Sequence, residues 1–378
     1  MVFRFIHTAD WQIGKPFRMF DDRIAGRLEA ARLEAIDRIA VIARQHGAAH
    51  VLVAGDVFDG EGLPNRTLMQ AMERMGRAAE LTWWLLPGNH DPARPGGVWQ
   101  RLAERIPANV RALTIAAPIE ASPGVFILPS PLAARALAGD PTAWMMDAAT
   151  PAGSIRIGLA HGSVQDFGGQ DGPSVPISPG RAQAARLDYL ALGDWHGTQA
   201  IGTRTWYAGT PEPDRHPPGN EPGNVLAVEI GGAGAAPRVN IVPTAQFIWA
   251  RREREIFELA DLERLDREIA ALADDPARLV LKLVLAGRLP VGDLARLDRW
   301  IVETEHRFLV LEVDRDAVRL AGGDGSDADL VADSAEIAAA MRQLRTIAEG
   351  TDEARARTAE RALLRLLAFT AEAREAAP

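Results

Sequence analysis

Five short polar motifs, each directly after an apolar run, hold the residues able to do chemistry: Asp10-Trp11-Gln12, Gly55-Asp56, Gly88-Asn89-His90-Asp91, His161-Gly162 and Gly193-Asp194-Trp195-His196. Carboxylate, amide and imidazole donors gathered in one place hold divalent cations. A two-ion hydrolytic centre sets its cations about 3.5–4 Å apart and needs a carboxylate between them. Asp56 is the candidate bridge, because Gly55 lets the backbone turn its carboxylate into a crevice. Asn89 offers an amide oxygen, and Asp10, His161, Asp194 and His196 offer carboxylate and imidazole donors. Any one of these is weak evidence, since a Gly-Asp after a strand is common and a lone His is more often a hydrogen-bonded structural residue. Their number and order are what point to a metal site.

The elements that must position them follow from the same runs. Residues 3–6, 51–53, 83–86, 155–159 and 189–192 are short, apolar and bounded by Gly, Pro or Asp, the pattern of buried parallel strands. Side chains at the C-terminal ends of such strands converge on one crevice. Helical spacing predicts crossover helices over 27–45 and 65–80, whose Leu68, Met72 and Met75 read as core. Further strands are expected at 125–128, 205–208, 225–230 and 239–242, the last two as an antiparallel pair that suggests a second sheet facing the first. The Gly- and Pro-rich stretches 168–180 and 210–224 read as surface loops that either border substrate or simply connect elements.

Near Phe247 the pattern changes to a βαβαβ unit, with helices over 261–273 and 291–303 and strands over 279–285 and 308–313. A Gly-Asp-rich break at 322–329 precedes two helices, 334–349 and 352–376. The expected domains are therefore 1–245 (catalytic), 246–322 (a smaller α/β unit) and 330–378 (C-terminal helices), giving an α/β protein with two facing mixed sheets flanked by helices. Leu363, Leu364, Leu366, Leu367 and Phe369 suit docking onto the body or a partner groove.

Composition sets the outer bounds. With 378 residues and 47% hydrophobic content, the chain can bury a catalytic-sized core and at least one further domain. It has no Cys, which excludes disulfides, thiolate metal sites and cysteine nucleophiles. A net charge of -9 argues against a broadly basic nucleic-acid binder, although bound cations supply local positive charge. Lys15 and Lys282 are the only lysines, a bias that a GC-rich genome explains and that phosphate recognition by Arg would also use. The amino terminus shows no signal-peptide pattern and no run is long enough to span a membrane, so the expected location is cytoplasmic with no membrane partner.

These residues resemble the calcineurin-like metallophosphoesterases, and among them the SbcD-type DNA repair nucleases and their stand-alone bacterial endonuclease relatives. The resemblance rests on His7-Thr8-Ala9-Asp10-Trp11, Ala54-Gly55-Asp56-Val57-Phe58-Asp59, Pro87-Gly88-Asn89-His90-Asp91-Pro92, Ala160-His161-Gly162 and Tyr207-Ala208-Gly209-Thr210-Pro211-Glu212-Pro213, and covers roughly the first 240 residues. It implies a sandwich fold with a capping domain after Phe247. It also implies two metals, one on Asp10, Asp56 and His196 and the other on Asp56, Asn89 and His161, with a bridging hydroxide as nucleophile. His90 is implied as general acid or transition-state stabiliser, with Asp91 orienting it and Asp59 as structural support. Two positions depart from the pattern. Gln12 and Asp194 stand where the family has His, and the exchange of nitrogen for oxygen favours Mn²⁺, or Mg²⁺, over Zn²⁺.

The implied substrate is DNA, single-stranded or with ends, cut as exonuclease or endonuclease in repair, with Arg251, Arg252 and Arg254 available to phosphates. An SbcC-like ATPase or another repair protein is the implied partner. The alternatives are a small-molecule phosphodiesterase or phosphatase, and a DNA-binding scaffold with little or no turnover.

Overall fold

β-Branched and aromatic runs become strands wherever Gly, Pro or Asp ends them, and in the computed structural model this fixes most of the first half of the chain. The structure describes residues 2–165, 175–216, 221–321 and 335–375, in two units, Met1–Ile248 and Trp249–Pro378. In chain order the strands of the first unit are β1 (Phe3–Thr8), β2 (His50–Val53), β3 (Thr82–Leu85), β4 (Val110–Ala112), β5 (Ile119–Ser122), β6 (Val125–Ser130), β7 (Ile155–His161), β8 (Ser163–Val164), β9 (Pro176–Ile177), β10 (Tyr189–Gly193), β11 (Gln199–Ala200), β12 (Thr205–Tyr207), β13 (Asn224–Ile230) and β14 (Arg238–Pro243).

Two six-stranded sheets result, ordered β14-β13-β1-β2-β3-β4 and β11-β12-β10-β7-β6-β5. β1, β2 and β3 pair in parallel, as do β6, β7 and β10, so their C-terminal ends open on the same side of each sheet. The connections are helical: α1 (Asp22–Gln45) joins β1 to β2, and α2 (Asn65–Arg77) joins β2 to β3. Helix α1 begins five residues before the expected start, because Asp21 caps it by accepting from the Arg23 and Ile24 amides. The fold is the expected mixed α/β arrangement of two facing sheets with helices. One expectation is corrected. The antiparallel β13–β14 pair does not form the facing sheet but covers the free edge of β1, with Phe3 opposite Ile230 and His7 opposite Leu226. An exposed β1 edge would leave a row of unpaired backbone groups.

Three apolar layers hold the unit together. Phe5, Leu52, Leu86, Ile127, Ile157, Leu159, Tyr189 and Val228 fill the space between the sheets. Ile36, Ile39, Leu68, Met72 and Met75 of the helices pack on the other face of the first sheet against Val51, Val53 and Trp83, which confirms the methionine stripe as core. Leu128, Leu190 and Leu192 carry the outer layer of the second sheet with Met145 and Ile177. Each fully buried side chain of this size contributes about 1.5–3 kcal/mol.

The second unit has a three-stranded sheet in the order Ile248–Ile256, Leu279–Leu289, Val310–Leu320, with the last two parallel, and helices Leu259–Ala270 and Val291–Glu305 between them. A capping box of Glu258 and Asp261 starts the first helix. Helices Ala335–Ala348 and Glu353–Glu375 pack through Met341 and Leu363. The expected break at 322–329 lies outside the described residues, as do 168–174 and 217–220 of the two expected loops. Among the described residues no helix is long and apolar enough to cross a membrane.

Candidate metal centre

The C-terminal ends of β1, β2, β7 and β10 carry Asp10, Asp56, His161 and Asp194, and the turns there are unusual. Five described non-glycine residues have left-handed backbone, and four of them are Asp10 (φ 53), Gln12 (φ 43), Asp56 (φ 53) and Asp194 (φ 102). Each such conformation costs on the order of 1–3 kcal/mol and persists only where its surroundings enforce it. Here a ladder of backbone bonds does so: Asp10 N donates to Gly55 O (3.1 Å), Gln12 N to Asp56 O (2.8 Å) and Ile13 N to Val57 O (2.9 Å). Two glycines make room. Gly55, at φ 91, lies against the His161 ring, and a methyl on Gly88 would overlap the Asp56 carboxylate.

Asp10, Asp56 and His161 are buried, and one ligand atom of each lies within 4.8 Å of the others. His161 Nδ1 donates to Ala54 O at 2.8 Å, which turns Nε2 toward Asp56 Oδ1 (3.5 Å) and Asp194 Oδ1 (3.8 Å). Fixing one imidazole nitrogen on a carbonyl in this way is how a metal-binding His is oriented. His161 Nε2 and Asn89 Oδ1 are buried without a hydrogen-bond partner, whereas a buried acceptor is ordinarily satisfied. Two orphaned donor atoms beside two buried carboxylates fit a divalent cation.

The electrostatics agree. Burial opposes a charged His161, but Asp56, Asp10 and Asp194 outweigh it and raise its pKa to about 9. Burial raises Asp10 to about 6, against the pull of His161 and His196. A cluster that in the absence of metal takes up a proton is one where a cation can replace that proton.

The other expected ligands sit around this core. Asp194 accepts from Asn89 Nδ2 (3.5 Å) and Ser163 Oγ (2.5 Å), and its amide donates to both Asp10 oxygens at 3.2 and 3.1 Å. His196 Nε2 is 4.0 Å from Asp10 Oδ1 and 3.4 Å from Gln12 Nε2. Gln12 differs from the expectation of an oxygen turned to the metal, because its Oε1 accepts from Lys15 Nζ at 3.0 Å and its amide nitrogen faces His196.

His90 is the accessible member, its side chain 42% exposed, with Nε2 4.0 Å from Asp56 Oδ2 and its amide donating to Asp56 Oδ1 at 2.9 Å. Asp91 does not orient it. That fully buried carboxylate accepts from Gly88 N (2.7 Å) and Phe58 N (3.1 Å), locking the Gly88–His90 turn to the loop after Asp56. The residue that holds the ring is Asp59, whose carbonyl accepts from His90 Nδ1 at 3.0 Å, with Oδ1 at 3.6 Å. The reason is local: the turn at Gly88 carries the residue after His90 inward.

Sequence reasoning missed Asp214. It is 4% exposed, 3.5 Å from His196 Nδ1 through Oδ1, and paired with Lys15 and Arg32. Burial would raise its pKa, but the adjacent His196 imidazole and the charge of Arg32 prevail and hold it far below the usual carboxylate range. The only sequence signal was a pair of acids, Glu212 and Asp214, in a proline-rich turn.

Residues 3–172 match the family model described as calcineurin-like phosphoesterase. No curated protein matches the chain. Among solved structures, a Thermus thermophilus protein is similar at 12% identity and a TM-score of 0.37, over 56% of this chain and 90% of that one. A dimetal phosphatase from Danio rerio is similar at 11% identity and a TM-score of 0.38, over 64% of this chain and 99% of that one.

Proposed function

We propose that this chain, whose residues 3–172 match the calcineurin-like phosphoesterase model, is a metal-dependent nuclease that hydrolyses phosphodiester bonds in DNA. The observation that carries the hydrolytic reading is the buried cluster of Asp10, Asp56 and His161 with the orphaned Asn89 Oδ1 and His161 Nε2 beside it. Asp10, Asp56, Asn89, His161, Asp194 and His196 would hold two divalent cations. When bound, these withdraw charge from the phosphoryl oxygens and lower the pKa of an attacking water.

The remaining steps belong to the chain. His90 stands at the accessible edge with Nδ1 fixed on the Asp59 carbonyl, which leaves Nε2 to give a proton to the departing oxygen. Asp91 keeps the turn that carries Asn89 and His90 in register with Asp56. Asp214 faces the far nitrogen of His196, so that Nε2 points inward.

DNA as substrate, and a role in repair, rest on the likeness of the five motifs to those of SbcD-type nucleases. Mn²⁺ is the favoured ion, because Asp194 adds a carboxylate where the family has imidazole. Of the arginines expected to meet phosphate, Arg251 is paired with Glu253 and Arg254 with Glu268, both at 2.6 Å, so these would have to exchange partners to bind DNA. The test is incubation of the pure protein with labelled linear and circular DNA, single- and double-stranded, in Mn²⁺, Mg²⁺ or Zn²⁺. Cleavage in Mn²⁺ is expected, and cleavage of circles identifies internal cutting. Turnover of small phosphoesters with none of DNA, or strongest turnover with Zn²⁺, overturns the respective part.

A further inference from the structure

One corner of the centre carries more positive charge than its neighbours neutralise. Asp214 Oδ2 accepts from Lys15 Nζ and lies 3.4 Å from Arg32 Nη2, while Oδ1 lies 3.3 Å from Arg215 Nε. Three cations thus share one carboxylate. The other acids acting on Arg32 include Glu212, which is matched by Arg38 at 2.5 Å, and Asp59, which also acts on Lys15. The fourth acid acting on Arg32 is Asp10, whose charge belongs to the metal cluster; with Asp10 so committed, counting Asp59 against the three cations leaves one positive charge over.

The three cations differ in access. Arg32 is buried, and its Nη1 donates to the Trp11 carbonyl at 2.6 Å. The Lys15 side chain is 26% exposed and that of Arg215 is 61% exposed. Among the described residues Asp214 is the only carboxylate within ion-pair distance of Arg215. Both accessible cations border the catalytic cluster. Lys15 holds Gln12, whose amide faces His196 Nε2, and Arg215 Nη2 is 3.1 Å from His196 Nδ1.

Resting on the phosphodiesterase reading above, we propose that Lys15 and Arg215 form a subsite for a second phosphate, adjacent to the one hydrolysed, so that the substrate is a polyanionic strand rather than a monoester. A guanidinium matches two phosphate oxygens at once, and one tethered on a buried carboxylate loses less conformational freedom on binding than a free surface Arg. The arrangement also couples binding to the centre. His196 Nδ1 cannot accept from Arg215 and donate to Asp214 together, so drawing Arg215 onto a phosphate leaves Nδ1 to donate to Asp214.

The experiment measures equilibrium binding, by fluorescence anisotropy, of a labelled phosphorothioate single strand to the Mn²⁺-loaded protein across a salt series. Wild type, Arg215→Ala and Arg215→Lys are compared, and a second strand carries one neutral methylphosphonate beside the central linkage. Arg215→Ala is expected to weaken binding roughly ten-fold and to reduce the salt slope by about 0.7, the share of one phosphate contact on a single strand. Arg215→Lys should recover part of the loss, and the loss from the methylphosphonate should be much smaller in Arg215→Ala than in wild type. Unchanged affinity and slope in Arg215→Ala, or losses that add in full, overturn the subsite while leaving the nuclease reading intact. Wild-type protein that holds Mn²⁺ but binds no strand overturns both. Manganese content measured on every sample separates either result from a damaged centre.

Discussion

At the scale of single residues the centre exchanges protons for cations. His161 in the metal-free protein holds a proton up to about pH 9, and a cation on Nε2 must displace it. Metal affinity should therefore rise about ten-fold per pH unit between pH 6 and 9, and more steeply below pH 6, where Asp10 is protonated as well. Calorimetry at pH 7 in buffers of different ionisation enthalpy should show about one proton released per metal-loading event at this position, and a heat independent of the buffer would contradict it. His90 makes the complementary prediction. His90→Ala should retain metal stoichiometry and lose roughly 10²- to 10⁴-fold in kcat, and a variant that instead loses its metal would make His90 a ligand. Asp10, Asp56 and His161, which the fold brings together, were legible in the sequence because each follows an apolar run. What orients His90 was not, since Asp91 is its neighbour in sequence but the turn at Gly88 sends that carboxylate to two backbone amides. Nor were the partners of Asp214 legible, since Lys15 lies 199 residues away and periodicity carries no information on such pairings.

At the scale of elements, the two sheets are joined by a buried polar contact as well as by apolar packing. His7 on β1 donates from Nε2 to Leu192 O on β10 at 3.1 Å, and its Nδ1 accepts from the Tyr189 hydroxyl at 3.0 Å. Burial lowers its pKa to about 3, so the folded protein keeps it neutral. The sign follows from linkage. The unfolded chain protonates this His below about pH 6.5 while the folded protein does not, so the contribution is full above pH 6.5 and is lost as pH falls toward 3. Over that window it amounts to on the order of 5 kcal/mol. Urea unfolding of wild type and His7→Gln should therefore differ less at pH 4.5 than at pH 7, by about 2–3 kcal/mol, and a difference that does not change with pH would refute the buried neutral state. The parallel strands were readable from their runs and the β13–β14 hairpin from its Gly-rich link. The edge it joins was not, because pairing with β1 depends on which edge the crossover helices leave open.

At the scale of the whole molecule, every candidate ligand lies in the unit Met1–Ile248, which has its own layered core. A chain ending at residue 248 should fold and bind manganese with the stoichiometry of the full protein, and loss of metal with retained fold would mean that the second unit contributes to the centre. The βαβαβ arrangement of that second unit was legible from its alternation of charged helical and apolar strand segments. Its ion pairs were not, and they remove Arg251 and Arg254 from the freely available positive charge. The most direct measurement compares wild type with Asp56→Asn for cleavage of labelled single-stranded DNA in Mn²⁺, with bound metal determined on the same samples. Wild type should cleave and the variant should lose both metal and turnover. An Asp56→Asn protein that cleaves at the wild-type rate would contradict the account.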